Sequence, residues 1–192
     1  MYVDANEFAP TEHSIIRGDA TDTAILRFTE SFTRKNSGID VPSIVASHEK
    51  LFEIPFNPRN RWMLTLVREQ LDLCEEYNEA EPVMFVKGAP DVLFPACNDA
   101  LKADGSSIPF DNDILWQVSV LQSEWSSQGQ RVLALCKKSL DGLKIDTNTP
   151  ASDIEEMMYA ELNDLTLVGL VGIRDPPRDD VKTAIKRIRK AG

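Results

Sequence analysis

A lysine closes a short apolar run and is followed at once by glycine, alanine, proline and aspartate: Val83-Met84-Phe85-Val86-Lys87-Gly88-Ala89-Pro90-Asp91. The apolar residues, rich in β-formers, read as a buried strand. Gly88 lets the backbone turn or approach something closely. Pro90, with fixed φ and no N–H, suits the first turn of a helix. Asp91 falls in that turn, where the helix dipole favours a carboxylate. A cation is thus held at a strand-to-helix corner beside a residue with no side chain, which suits an anionic ligand lying against backbone. A solvated lysine at an ordinary βα corner fits the same residues, and taken alone they leave both readings open.

Composition narrows the chemistry. The 192 residues carry a formal net charge of −10, a field that repels nucleic acid and anionic membranes. An anionic small ligand would need a local positive pocket. The three cysteines, Cys74, Cys97 and Cys136, form no Cys-x-x-Cys and follow no secretory signal, which predicts free thiols in a reducing compartment. His13 and His48 lie far from each other and from the cysteines, which argues against a zinc site or a histidine-based triad. The longest apolar run, Leu165 to Ile173, contains Thr166 and two glycines and has half or less of the roughly 20 residues a membrane span needs. Acidic residues are numerous but single out no catalytic pair. Apolar content of 42% supports a real core, and the length fits one domain with, at most, part of a second.

The elements that must position Lys87 follow from patterning. Asp19 is a good N-cap and Asp22 a first-turn carboxylate for a helix over about 20–34, with Ala24, Ile25, Phe28 and Phe32 at helical spacing. Asn36-Ser37-Gly38 stops it, and Pro42 to His48 allows a further short helix. Leu51 to Phe56 and Trp62 to Val67 read as strands joined by Asn57-Pro58-Arg59-Asn60 into a hairpin. Residues 68–81 are acidic and weakly patterned, a surface helix or loop. After the opening strand a helix is expected over about 90–98, then a turn at 104–107. Asp111 caps the clearest helix, with Ile114, Leu115, Val118, Leu121 and Trp125 on one face and Gly129 at its end. Val132 to Cys136 is a strand. Ser152 with Glu155 forms a capping box for a helix to about Leu162. Leu165 to Ile173 is a buried strand, Asp175-Pro176-Pro177-Arg178 interrupts regular structure, and a basic helix follows with Val181, Ile185 and Ile188 inward. The sum is an α+β fold, an antiparallel sheet flanked by helices.

Five segments, in order, resemble the P-type cation-transporting ATPases: Gly18-Asp19-Ala20-Thr21-Asp22-Thr23-Ala24-Ile25-Leu26, Phe52-Glu53-Ile54-Pro55-Phe56-Asn57, Lys87-Gly88-Ala89-Pro90-Asp91, Gln130-Arg131-Val132-Leu133-Ala134 and Val168 to Arg178. The Glu-Ile-Pro-Phe-Asn run is most similar to the sodium/potassium and calcium pump branch. In that family this region is the nucleotide-binding domain, a cytoplasmic antiparallel sheet inserted into the phosphorylation domain through two hinge strands. The resemblance implies residues 1–165 as that domain and 166–192 as hinge and incomplete start of the phosphorylation domain. It also implies an ATP pocket without a phosphate-gripping glycine loop, in keeping with the lack of Gly-x-x-x-x-Gly-Lys-Ser/Thr here.

Carried over by position, the resemblance implies that Phe56 stacks on adenine, a contact worth roughly 1–3 kcal/mol. Lys87 would line the base of the adenine pocket, and Gly88 would let the base lie close to the backbone. Arg131 would reach the phosphates, and Arg61 stands where the family puts lysine or arginine near them. Asp22 would accept from the adenine amino group, though the family more often has glutamate and a helix-capping role is the other reading. Met63 would pack on the base or in the sheet, and Asp175 and Arg178 belong to the hinge. The family's phosphorylated aspartate motif, Asp-Lys-Thr-Gly-Thr, does not occur in this sequence, nor do its Mg²⁺-binding segments, so the chain alone is expected to bind nucleotide and hydrolyse nothing. The stretch before Gly18 is shorter than in sodium/potassium pumps, so early elements are expected to be missing. The partners implied are ATP, with Mg²⁺ in the complete pump, and the phosphorylation and actuator domains at the cytoplasmic face of a membrane. The chain itself would be soluble. The alternative is a truncated, inactive fragment serving as an interaction or regulatory module.

Overall fold

A computed structural model describes residues 20–36, 38, 40–70, 80–143, 145, 149–174 and 181–190. Its elements are α1 (Ala20–Asn36), α2 (Val41–Ala46), β1 (His48–Ile54), β2 (Trp62–Glu69), β3 (Val83–Gly88), α3 (Pro90–Leu93), β4 (Cys97–Leu101), β5 (Ser107–Pro109), α4 (Asn112–Ser127), β6 (Arg131–Ser139), α5 (Ala151–Ala160), β7 (Leu165–Ile173) and α6 (Val181–Lys190). The strands form one sheet in the order β1-β2-β3-β6-β7-β4-β5. Every pairing is antiparallel except β4 with β7. The α+β class expected from the patterning is the fold observed.

Alternation decides which face is covered. In β2, Trp62, Leu64 and Leu66 are buried while Met63, Thr65 and Val67 are only partly so. β6 alternates in the same sense, with Val132, Ala134 and Cys136 buried. The buried face packs against Leu93 and Phe94 after β3 and against Ile154 and Met158 of α5. Leu64, Leu66, Met84, Leu93, Met158 and Leu165 are among the side chains fully removed from solvent, each contributing roughly 1.5–3 kcal/mol. A one-residue slip in any of these strands would turn that set outward. The opposite face stays open in the middle of the sheet, and there the site lies.

Five expectations are corrected. The helix after β3 ends at Leu93 and gives way to a single 3₁₀ turn, Phe94–Ala96; Pro95 has no N–H with which to continue the helical ladder. Residues 97–101, expected partly as helix, form β4, and Ser107 opens β5. The capping box at Ser152 is not made: Pro150 holds the cap position without a side-chain bond, and the Ser152 hydroxyl donates to Asp153. Ile185 and Ile188 of α6 are 45% and 71% exposed rather than inward, because no described element covers that face. Finally, β7 pairs with β6 and β4 along its length, so a boundary at residue 165 would cut through the sheet. The α4 face is only partly as expected. Ile114 and Val118 pack on the core, whereas Leu115 and Leu121 remain more than a third exposed. Asp19, residues 71–79 and Asp175-Pro176-Pro177-Arg178 lie outside the described residues.

Candidate functional site

Register builds the site. Met63 of β2 stands opposite Lys87 of β3, and Lys87 opposite Leu135 of β6. One row further, Thr65 stands opposite Phe85. All five lie on the open face of the sheet, and with Val168 they line a cavity of about 350 Å³. That is within the range of small-molecule clefts, roughly 300–1,000 Å³. Val168 reaches it through an irregularity. Leu135 pairs with Gly169 and Cys136 with Leu167, so Val168 is the extra residue of a bulge, a device that re-aims a side chain. Phe85 sits in the middle of a central strand yet is 44% exposed. A large apolar ring left open there marks a surface meant to be covered.

Polar groups gather at the end of the cavity where β3 finishes and β6 begins. The Lys87 ammonium donates to the carboxylate of Asp22, in the first turn of α1. Next to Asp22 in sequence, Thr21 accepts at its hydroxyl from the Arg131 guanidinium at 3.0 Å. The start of α1 is thereby tied to both strands. A half-exposed ion pair such as Lys87–Asp22 contributes little to stability, so its worth lies in orientation. Nearly all of Lys87's neighbours in the cavity wall are apolar, which strengthens any charged contact made there.

Gly88 has a different task from the one expected. It is buried, and a Cβ built on it would come within 2.6 Å of the Trp62 Cβ and 2.7 Å of the Arg61 carbonyl oxygen. The absent side chain makes room for the neighbouring strand β2, on the covered face, and not for a base on the open one. The same close approach lets Ala89 N–H donate to that Arg61 carbonyl at 2.9 Å.

Arg61 adopts φ +60°, a conformation uncommon outside glycine, asparagine and aspartate. Its guanidinium is paired with Asp91 at 2.8 Å, so the first-turn carboxylate of α3 fixes an arginine across the corner. Asn57 begins this turn by accepting at its carbonyl from Arg61 N–H at 2.7 Å. Phe56 lies in the same β1–β2 connection, 56% exposed.

The structure therefore brings Asp22, Met63 and Lys87 together at one cavity and holds Arg131 beside Asp22 through Thr21. Arg61 and Phe56 sit on the turn that leads into β2 and do not line the cavity. Asp175 and Arg178 lie outside the described residues. Sequence reasoning missed Thr21, Thr65, Phe85, Leu135 and Val168. The first four were open to it: once Met63 and Lys87 share a face, period-2 alternation adds Thr65 and Phe85, and the β3–β6 pairing adds Leu135. Val168 was not, since a bulge breaks the alternation.

Among the described residues no group of three or more histidine, cysteine, aspartate or glutamate side chains is placed to hold a metal ion, and no helix is long and apolar enough to cross a membrane.

Comparison with known proteins gives one consistent result. The family profile described as "P-type ATPase, cytoplasmic domain N" matches residues 2–180. The chain is 31% identical to potassium-transporting ATPase alpha chain 2 of Oryctolagus cuniculus over 97% of its length. It is 31% identical to sodium/potassium-transporting ATPase subunit alpha-A of Artemia franciscana over 92%, and 29% identical to calcium-transporting ATPase 1 of Yarrowia lipolytica over 91%. In each case it spans 16% of the relative's own length.

Proposed function

This chain belongs to the family of the P-type ATPase cytoplasmic domain N, and from that premise we propose that it binds ATP on the open face of its sheet and positions it for phosphoryl transfer to an aspartate outside residues 1–192. The observation that carries this reading is the convergence of an acid, a base and a thioether on one cavity. Asp22 comes from the start of α1, Lys87 from the end of β3 and Met63 from the start of β2, with Arg131 tethered alongside.

Each group has a physical role in the proposal. The adenine ring lies in the cavity, against Met63 and Phe85, where a flat apolar wall suits a purine face. Its amino group shares the Asp22 carboxylate with Lys87. Phe56, exposed on the β1–β2 turn, closes over the base. Arg131 and Arg61 lie toward the phosphates, where a charge-assisted hydrogen bond contributes roughly 1.5–3 kcal/mol. Phosphoryl transfer depends largely on positioning and charge neutralisation, and this chain supplies the positioning. Mg²⁺ would accompany the phosphates in the whole pump. Asp175 and Arg178 act as hinge, with the sheet domain ending after β7, and the whole protein is a membrane-embedded cation pump that carries this domain on its cytoplasmic side.

A trinitrophenyl-ATP titration tests the reading. Saturable fluorescence enhancement, displaced by ATP and weakened about tenfold or more in Lys87→Ala, is the expected result. No saturable signal from the folded chain, or an affinity indifferent to Lys87→Ala and Phe56→Ala, would overturn it.

A further inference from the structure

We propose that Cys97 and Cys136 are an oxidation site, a buried dithiol that a peroxide closes to a reversible intramolecular disulfide. Cys97 opens β4 and Cys136 lies in β6, the two strands that flank β7. Their sulfurs are 3.7 Å apart, and both residues are buried, at 6% and 2% exposure. The Cys97 thiol also donates to the Leu93 carbonyl at 3.2 Å, so the two sulfurs sit in a chain from Cys136 to Cys97 to backbone. Neither thiol has a role in nucleotide positioning.

The two sulfurs are not equivalent. The hydrogen bond from Cys136 holds the Cys97 thiol below its usual range, against the opposing effect of burial. The same bond, with burial and the charge on Cys97, pushes Cys136 up. Cys97 is therefore the nucleophile and Cys136 the resolving thiol. The Cys97 thiolate attacks one oxygen of hydrogen peroxide, the O–O bond breaks, and the departing hydroxide takes a proton to leave as water. The product is a sulfenic acid. The Cys136 sulfur then attacks the Cys97 sulfur, the S–O bond breaks, and the hydroxide leaves as water with the Cys136 proton. Two thiols and one peroxide give one disulfide and two waters. Access for a molecule this small exists on the open face, since Cys136 borders the cavity.

Closing the bond shortens the sulfur separation from 3.7 Å to about 2.05 Å. It draws β4 and β6 together across β7, the strand whose bulge turns Val168 into the same cavity. The strain makes the bond easy to reduce and deforms the cavity floor. Resting here on the ATP reading, the oxidised chain holds nucleotide more weakly, by about threefold or more.

The test treats the folded full chain with hydrogen peroxide, blocks remaining thiols with iodoacetamide in denaturant, and maps peptides by mass spectrometry. A linked Cys97–Cys136 peptide that dithiothreitol reverses, and that also forms in Cys74→Ser, is expected. Recovery of both residues alkylated or as sulfonic acids, or a link to Cys74 instead, would overturn the site, and needs no variant at position 97 or 136 to fold. Trinitrophenyl-ATP binding is then compared between reduced and oxidised chains. Equal affinity in a chain shown to carry the bond refutes the coupling to the cavity. A reduced chain that binds nothing counts against the ATP reading and leaves the peptide map to decide the oxidation site.

Discussion

Replacing Gly88 by alanine separates two accounts of the residue next to the key lysine. The new methyl carbon would lie 2.6 Å from the Trp62 Cβ, 2.7 Å from the Arg61 carbonyl oxygen and 2.9 Å from the Trp62 Cα. None of these is the tip of a flexible side chain, so relief requires β2 and β3 to separate locally. Overpacking of well-packed sites costs roughly 1–3 kcal/mol, and contact with neighbouring backbone on this scale points to the upper end, about 3 kcal/mol. For a domain of this size each kcal/mol moves Tm by about 2–4 °C, so Gly88→Ala is expected to melt about 6–12 °C below the parent. Thermal unfolding followed by far-ultraviolet circular dichroism measures it, with urea titration as a second route. Nucleotide affinity should fall as well, since Met63 and the Arg61 turn move with β2. If the glycine instead served to admit a purine, the variant would keep the parent's Tm and lose only nucleotide binding. A Tm within about 1 °C of the parent would refute the strand-packing argument.

Further outcomes follow from single features of the structure. Arg131→Ala is expected to weaken ATP and ADP about tenfold while leaving adenosine unchanged, because the guanidinium reaches phosphate and not base; isothermal titration with the three ligands checks this. Asp111 caps α4 by accepting from Asp113 N–H and Ile114 N–H, so Asp111→Ala should cost about 1 kcal/mol, visible as a Tm lowered by about 2–4 °C. Glu81 titrates above its usual range because of its hydrogen bond to Asp141 and the repulsion between the two carboxylates. An acid whose folded pKa is raised loses its stabilising contribution as pH rises through that pKa. Asp141→Asn should therefore raise Tm at pH 7 and have little or no such effect at acid pH, below the titration of Glu81, where the pair already shares a proton.

Much of the fold was legible because the strands are long and strictly alternating. Trp62 to Val67 and Val132 to Cys136 announce their buried faces through period 2, and Pro90 and Asp111 mark helix starts by their backbone chemistry. The short strands were hidden. Cys97-Asn98-Asp99-Ala100-Leu101 has neither β-propensity nor alternation, and it is a strand because β7 and β5 lie on either side of it. The apolar stripe of α6 reads as a buried face, but burial needs a partner surface, which no local pattern reveals. At the site, residue types pointed correctly to Lys87, Asp22 and Met63, since charge at strand and helix ends has a local signature. The role of Gly88 was misread, because an invisible close approach from β2 and an invisible ligand leave the same mark in a sequence. Thr21 as the partner of Arg131 depends on a contact across 110 residues of chain, beyond any short-range signal.

The central claim is that nucleotide occupies the open face of the sheet at the β2–β3–β6 rows. Backbone amide chemical shifts of the isotope-labelled chain, recorded during an ATP titration, test it most directly. The account predicts saturable shifts at Thr21, Asp22, Met63, Phe85, Lys87, Leu135 and Val168, with α5 and the β4–β5 hairpin left largely in place. Saturable shifts confined to α4 or α6, or none at millimolar ATP, would contradict it.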